Sequence, residues 1–524
     1  MSKFPFHTII FGIFPVVFIY SRNVREIPLI DLFAPLSILF FSTVIILIVA
    51  RFFFNKKFLK FEIIVSIFLI LFFSYGHMHE LVRKTNLLKF MHEDHIYLMM
   101  CWSQILGIST IFIIRTKKNL KNVRIISNKI AFFLISFSLI NIIFFFGKTV
   151  LYSPKETVKQ IEKADGGIFL QTKYKPDFYY IILDRYGNKE ALSIFAKYDN
   201  SDFISWLEAK DFVVVSKSKS NYLKTAQSLA SSLNMKYINY LTKELGTKSD
   251  NLLPLYSLIR ENELYKILKK NGYKIIHLGS WWEITRRNKN ADINFNINPY
   301  GFSEFIKMIC EKSWLLYFFE INKYNHRKIS WRRIKSQIDK LSEISEVKEP
   351  TFTFAHLMIP HHPYVFDRSG NYKSIKEESK KSYEENYIDQ LVYINSQLKK
   401  LINKLISKSE RPPIIILQGD EGPFPYRYRI NEKKFIWKNA TESELKQKMG
   451  IINAFYLPNI ENKIVYDAIT PVNTFRLVFN SYFHTNYKIL NDKSYAHFSE
   501  KHPYRFFDVT PIFNKNASLR AVQN

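Results

Sequence analysis

The sequence predicts an N-terminal all-α domain of about five transmembrane helices, followed by an α/β domain with a largely parallel central sheet flanked by helices. Two observations carry this. Residues 1–150 hold five apolar segments, at about 5–21, 29–53, 61–80, 96–114 and 130–147, each long enough to cross a bilayer as a helix. From residue 176 onward, short β-rich runs alternate with helical patterns, as in strands joined by crossover helices. The strands are expected at 178–183, 212–216, 273–278, 351–358, 413–418 and 451–457. The helices are expected at 201–210, 226–241, 254–270, 302–321, 379–408 and 470–482. The 524 residues exceed one ordinary domain and divide into a transmembrane domain (1–150), a polar linker (151–175), an external α/β domain (176–510) and a tail (511–524).

Taken in order, the first apolar segment resembles a signal peptide but has no small-residue cleavage site, and further spans follow it, so it reads as a retained anchor. The loop after the second span carries Arg51, Lys56, Lys57 and Lys60, and the loop after the fourth carries Arg115, Lys117, Lys118, Lys121 and Arg124. The positive-inside rule puts both loops in the cytoplasm, with a cytoplasmic N-terminus and an external C-terminal domain. The third-to-fourth loop is mixed, with Arg83, Lys84 and Lys89 against Glu93 and Asp94, and Arg22 and Arg25 in the first loop are a mild exception. Asp31, His77, His79 and Glu80 sit near span ends, where they either line a lipid-headgroup site or serve as interfacial anchors.

The formal charge is +29. A basic chain suits an anionic membrane surface or a lysine-rich composition with no partner. It shows no nucleic-acid motif and no zinc-finger spacing, so nucleic acid is not an expected partner. Cys101 and Cys310, the two cysteines, form neither a disulfide framework nor a metal knuckle.

Chemistry gathers at strand ends. Pro176 to Gly187 contains an unbroken apolar run, Phe178 to Leu183, that ends on Asp184. Pro412 to Pro423 repeats the pattern and ends on Asp420 and Glu421. In open α/β sheets ligands and metals sit at the carboxyl ends of strands, so these carboxylates are expected to hold a divalent metal together. Between them, Ser220 to Met235 turns helical just after Thr225. Thr225 is then either an N-cap or, with a metal and the helix dipole beside it, a nucleophile toward a phosphate. The run Phe352 to Phe366 delivers His356, His361 and His362 at and past another strand end, as metal ligands, phosphoryl-binding groups or proton donors.

The order Asp184, Thr225, His356 and His361, then Asp420-Glu421 resembles the sulfatase-like branch of the alkaline phosphatase superfamily over about 176–510. With five spans in front, the chain most resembles lipoteichoic acid synthases and lipid A phosphoethanolamine transferases. The resemblance implies a sulfatase-like fold, with Asp184 as first metal carboxylate and Thr225 as nucleophile and metal ligand, and Ser228 three residues on. It matches His356-Leu-Met-Ile-Pro-His361 to the family's two-histidine segment and Asp420-Glu421-Gly422 to its late Asp-His-Gly metal motif. Thr225, His356 and His361 are then the expected catalytic residues, and Asp184, Thr225, Asp420 and Glu421 the metal ligands. Ser228, His362 and Arg185 are the expected substrate-binding residues.

Two departures stand out. Glu421 replaces the family's histidine, and an oxygen ligand there favours Mn²⁺ or Mg²⁺ over Zn²⁺. The Cys-x-Pro-Ser-Arg segment of sulfatases is missing, which excludes formylglycine chemistry. The implied activity is a membrane-anchored transferase, using one divalent ion (Mn, Mg or Zn), on the outer side of a bacterial plasma membrane. It moves a phosphoethanolamine or phosphoglycerol headgroup from a membrane phospholipid to a cell-surface or lipid-linked glycan through a phosphothreonine. A phosphatase or phosphodiesterase of the same fold, and a non-catalytic glycan-binding or assembly protein, are the alternatives. Oligomeric state is not legible.

Overall fold

The computed structural model describes residues 4–85, 94–151, 175–297, 303–317, 326–460 and 464–513. It divides into two units, one of residues 1–152 and 299–325, the other of 153–298 and 326–524. Lys89 and Glu93 of the mixed loop, nearly all of the expected linker and residues 514–524 of the tail lie outside the described residues.

The first unit holds α1 (Phe6–Asn23), α2 (Ile30–Phe53), α3 (Phe58–Thr85), α4 (Asp94–Arg115) and α5 (Lys121–Leu151). Five helices here are long and apolar enough to cross a membrane. Their outer surface is apolar: Phe52 is 80 % exposed, and Phe112 and Phe133 are each 72 % exposed. Such a surface suits lipid rather than water. The polar groups turn inward instead, with buried Glu62 gripped by Nε and one terminal amino nitrogen of Arg124 and the Thr8 hydroxyl bonded to Ser66 at 2.9 Å.

A later piece of chain belongs to this unit. The helix Glu304–Glu311 places Phe305 against Tyr20, ring centres 6.0 Å apart. Beyond it the Gly76 N–H donates to the Lys312 carbonyl at 3.2 Å, and the Trp314 N–H donates to the Phe72 carbonyl at 2.9 Å. A Cβ on residue 76 would lie 2.1 Å from the Glu311 carbonyl oxygen, so this approach requires glycine. The helix expected within the α/β domain at 302–321 is therefore part of the apolar unit, and it interrupts the stretch 176–510. Among the headgroup candidates, Glu80 pairs with Lys312 at 2.7 Å and buried His79 stacks on Tyr75.

The second unit is built on a seven-stranded sheet. Its strands are β1 (Phe178–Leu183), β2 (Val213–Val214), β3 (Lys274–Leu278), β4 (Ile293–Phe295), β5 (Thr351–Leu357), β6 (Ile414–Gly419) and β7 (Asn453–Tyr456), in spatial order β2-β7-β6-β1-β5-β3-β4. All neighbours run parallel except β7, which is antiparallel to β2 and to β6. A small ribbon of β8 (Tyr495–His497) and β9 (Phe506–Asp508) stands apart. β1 is central because it is apolar on both faces: Phe178, Tyr180 and Ile182 enter one core, and Tyr179, Ile181 and Leu183 enter the other.

Helix ends differ from expectation where local side chains cap them. The helix expected over 226–241 is Thr225–Ser232, followed by Met235 in the left-handed region at φ +53°. The helix expected over 254–270 is two, Leu253–Arg260 and Glu263–Lys270, because the Asn262 side chain accepts the Tyr265 N–H and starts a new helix. The helix His326–Ile344 and strands β4, β8 and β9 were not expected.

Candidate active site and metal centre

Register brings the chemistry to one end of the sheet. Leu183 pairs with Leu357 on one side and with Gly419 on the other. Asp184 and Asp420 therefore leave adjacent strands at the same level, and His356, in register with Ile182, lies two residues short of it on β5. One ligand atom from each of Asp184, His356 and Asp420 falls within 4.8 Å of the others, and all three residues are buried.

The donor atoms fit a cation. Among the described residues Asp184 Oδ1 and Asp420 Oδ2 are buried carboxylate oxygens without a hydrogen-bond partner. Asp420 Oδ1 accepts the backbone N–H groups of Arg185 (3.1 Å) and Glu421 (2.9 Å), which orients Oδ2. His356 Nε2 lies 3.1 Å from Asp184 Oδ2, and its Nδ1 is 2.8 Å from the Thr285 hydroxyl. Thr285 is in turn 2.8 Å from the Ser280 hydroxyl, so Nδ1–H can donate outward and leave the Nε2 lone pair facing the carboxylates.

The protonation of the carboxylates points the same way. Burial opposes ionisation of Asp184, but the cationic and hydrogen-bonding groups around it outweigh burial and hold this carboxyl well below the usual range. Burial, with the charges of Asp184 and Glu421 beside it, pushes Asp420 well above the usual range despite the Thr225 hydroxyl next to it. A cation beside them would let both buried carboxylates ionise. The group supports a divalent metal ion.

Thr225 is the first residue of Thr225–Ser232, so its hydroxyl sits at the helix N-terminus, where anions are favoured. A cavity of about 270 Å³ opens there, lined by Asp184, Arg185, Thr225, His361 and Glu421 on one side and by Trp281, Trp282 and Leu255 on another. Burial and Arg185 lower the His361 imidazole to about 3, and its Nδ1 meets the His362 carbonyl, so it is neutral with Nε2 unprotonated.

Of the expected residues, Asp184, Arg185, Thr225, His361 and Glu421 line the cavity, and His356 and Asp420 stand behind it. Glu421 is fully buried, and its oxygens face Arg185 (3.0 Å), Lys448 (2.9 Å) and the Thr225 N–H (3.1 Å). Burial pushes the Lys448 ammonium down to about 7 although Glu421 raises it. Ser228 is buried, donates to the Tyr222 carbonyl at 3.0 Å and is not among the cavity-lining residues. His362 is half-exposed, 3.5 Å from Glu378, and also off the cavity.

Several lining residues were not singled out from the sequence. Trp281 and Trp282 follow β3, and the strand-end pattern that marked Asp184 would have found them. His497 and Glu500 come from the stretch after the last expected helix, 470–482; burial opposes ionisation of Glu500, but Lys224, His497 and Tyr428 hold it well below the usual range. Lys448, which pairs with Glu421 rather than lining the cavity, carries no local sequence signal.

A family model described as sulfatase matches residues 176–474. This chain belongs to the sulfatase family. With five helices long and apolar enough to cross a membrane, it is a membrane sulfatase-like enzyme, a phospho- or sulfo-group transferase or hydrolase. Among solved structures, this sulfatase-family chain resembles the C-terminal periplasmic domain of EptC from Escherichia coli at 12% identity and a TM-score of 0.42, over 65% of this chain and 94% of that one. It also resembles the periplasmic domain of phosphoethanolamine transferase EptC from Campylobacter jejuni at 12% identity and a TM-score of 0.36, over 64% and 98%. Lipooligosaccharide phosphoethanolamine transferase A from Neisseria meningitidis aligns at 12% identity and a TM-score of 0.35, over 89% and 94%. No curated protein matches the chain.

Proposed function

We propose that this protein transfers a phospho-headgroup from a membrane phospholipid to a glycan hydroxyl on the outer side of a bacterial plasma membrane. The observation that carries the reading is Thr225, a hydroxyl at a helix N-terminus beside the buried Asp420 carboxylate of the Asp184, His356 and Asp420 group. Asp184, Asp420 and His356, with Thr225, would hold one divalent ion. Two carboxylates, an imidazole and a hydroxyl suit Zn²⁺ or Mn²⁺ better than Mg²⁺, which takes nearly all oxygen. When bound, the ion supplies Lewis-acid stabilisation of negative charge at the phosphoryl group.

The residues of the chain do the rest. Thr225 Oγ1 attacks phosphorus as the bond from phosphorus to the diacylglycerol oxygen breaks, leaving a phosphothreonine. Neutral His361 takes the Thr225 proton on Nε2 and passes it to the leaving diacylglycerol oxygen. In the second half the acceptor hydroxyl attacks phosphorus as the bond from phosphorus to Thr225 Oγ1 breaks, and the acceptor's proton returns through His361 to Thr225 Oγ1. The helix N-terminus at Thr225 favours the anionic intermediate. The phosphoethanolamine transferases among the similar structures support a phosphoethanolamine donor as the first to test. The metal-loaded protein in detergent, given phosphatidylethanolamine with and without an envelope oligosaccharide, should release diacylglycerol and label the sugar. Diacylglycerol release with no label on any glycan would instead indicate the hydrolase.

A further inference from the structure

We propose that Glu421 is a positioning residue rather than a metal ligand, and that it braces the Arg185 guanidinium as the group that binds the phosphoryl oxygens. The proposal rests on the phospho-group reading above and assigns the anion-binding half of that site. Both Glu421 oxygens are already engaged. Oε1 accepts from Arg185 Nε at 3.0 Å and pairs with Lys448 Nζ at 2.9 Å, and Oε2 accepts the Thr225 backbone N–H at 3.1 Å. Neither Glu421 nor Lys448 has exposed side-chain surface. A carboxylate already paired with two cations is a poor place for a third, divalent one.

The same contacts aim Arg185. Its backbone turns at φ +63°, in the left-handed region, which brings its N–H onto Asp420 and its side chain toward the cavity. The guanidinium lies 4.0 Å above the Phe424 ring centre and donates Nε to Glu421. Among the described residues its two terminal amino groups make no hydrogen bond to the protein, although Arg185 lines the cavity beside Thr225 and His361. Two donors side by side in a fixed plane match two oxygens of a phosphoryl group. Because Glu421 holds Arg185 through one oxygen and the Thr225 backbone through the other, one rigid carboxylate sets the spacing between cation and nucleophile.

The test needs no lipid, so a failed transferase reading leaves it intact. Mn²⁺ and Zn²⁺ affinities and the inorganic phosphate affinity of the metal-loaded full chain are measured by calorimetry for wild type, Glu421→Gln, Arg185→Lys and Arg185→Ala. Metal affinity should stay within about threefold of wild type in all variants, while Arg185→Ala and Glu421→Gln should bind phosphate about tenfold or more weakly. Arg185→Lys should recover part of the loss. Millimolar guanidinium should restore phosphate binding to Arg185→Ala but not to Arg185→Ala/Glu421→Gln, a difference that a merely structural role would not produce. Should Glu421→Gln fail to fold, Glu421→Gln/Lys448→Met removes the buried charge pair together and is measured in its place. A loss of metal affinity of about a hundredfold in either Glu421 variant, or unchanged phosphate affinity in Arg185→Ala, overturns the proposal.

Discussion

Lys448 Nζ lies 2.9 Å from Glu421 Oε1, and neither side chain reaches solvent. Removing one partner strands the other charge in a water-free site. Lys448→Met should destabilise the protein by about 3 kcal/mol, the low end for a broken buried pair because Arg185 still faces Glu421. Glu421→Gln/Lys448→Met should recover most of that loss, as read in denaturant unfolding of the detergent-solubilised chain.

The Asp184, His356 and Asp420 group should bind about one divalent ion per chain. Asp184→Asn and Asp420→Asn should each abolish that binding, measured as metal content after dialysis, with melting preserved in excess chelator. Thr285 orients the imidazole from behind at 2.8 Å, so Thr285→Val should cost about 10–100-fold in metal affinity and Thr285→Ser should restore it. Full metal content in both Asp variants would move the site elsewhere.

Thr225→Ala should abolish turnover and leave at least part of the metal affinity, because the two carboxylates and His356 remain. Thr225→Ser keeps the oxygen and should keep measurable activity. Intact-mass analysis after incubation with donor lipid should find the phospho adduct on Thr225. An adduct on Ser228 is not expected, because that hydroxyl is buried against the Tyr222 carbonyl.

His277, which is not itself a metal ligand, gives a pH dependence of stability. Burial lowers its imidazole from 6.5 to about 4, between Tyr265 and the Thr285 carbonyl. The unfolded chain binds this proton below about pH 6.5 and the folded chain does not until about pH 4. The His277 contribution is therefore fully present above pH 6.5 and falls by about 3 kcal/mol as pH drops to 4. His277→Gln should flatten that part of the curve of stability against pH. A curve of unchanged slope would assign the loss to other groups.

The loop charges and the five apolar helices make topology testable. A reporter fused after residue 150 should be active outside the cytoplasm, and one inserted at 116–128 inside. Both reporters on the same side would exclude the five-span arrangement.

The strands and spans were legible in the sequence because their signals are local. An apolar run bounded by proline and glycine has few ways to bury itself, and Phe178–Leu183 forms the expected strand with its alternate residues in two cores. Asp184, Asp420 and Thr225 were legible for the same reason: each ends a strand or begins a helix. Tertiary structure alone decided which of these groups face one another. His356 comes within 3.1 Å of Asp184 across 172 residues because β5 pairs with β1 in one register, and a slip of one residue would turn it to the other face. The engagement of Glu421 depended on Lys448, a lysine with no local mark that the fold brings in from the end of the helix Glu442–Met449. The helix Glu304–Glu311 joined the apolar unit because Gly76 admits a backbone approach that periodicity cannot foretell. Local propensity sets which elements form, whereas the pairing of buried charges and the close approach of backbones are long-range, and only the assembled chain specifies them.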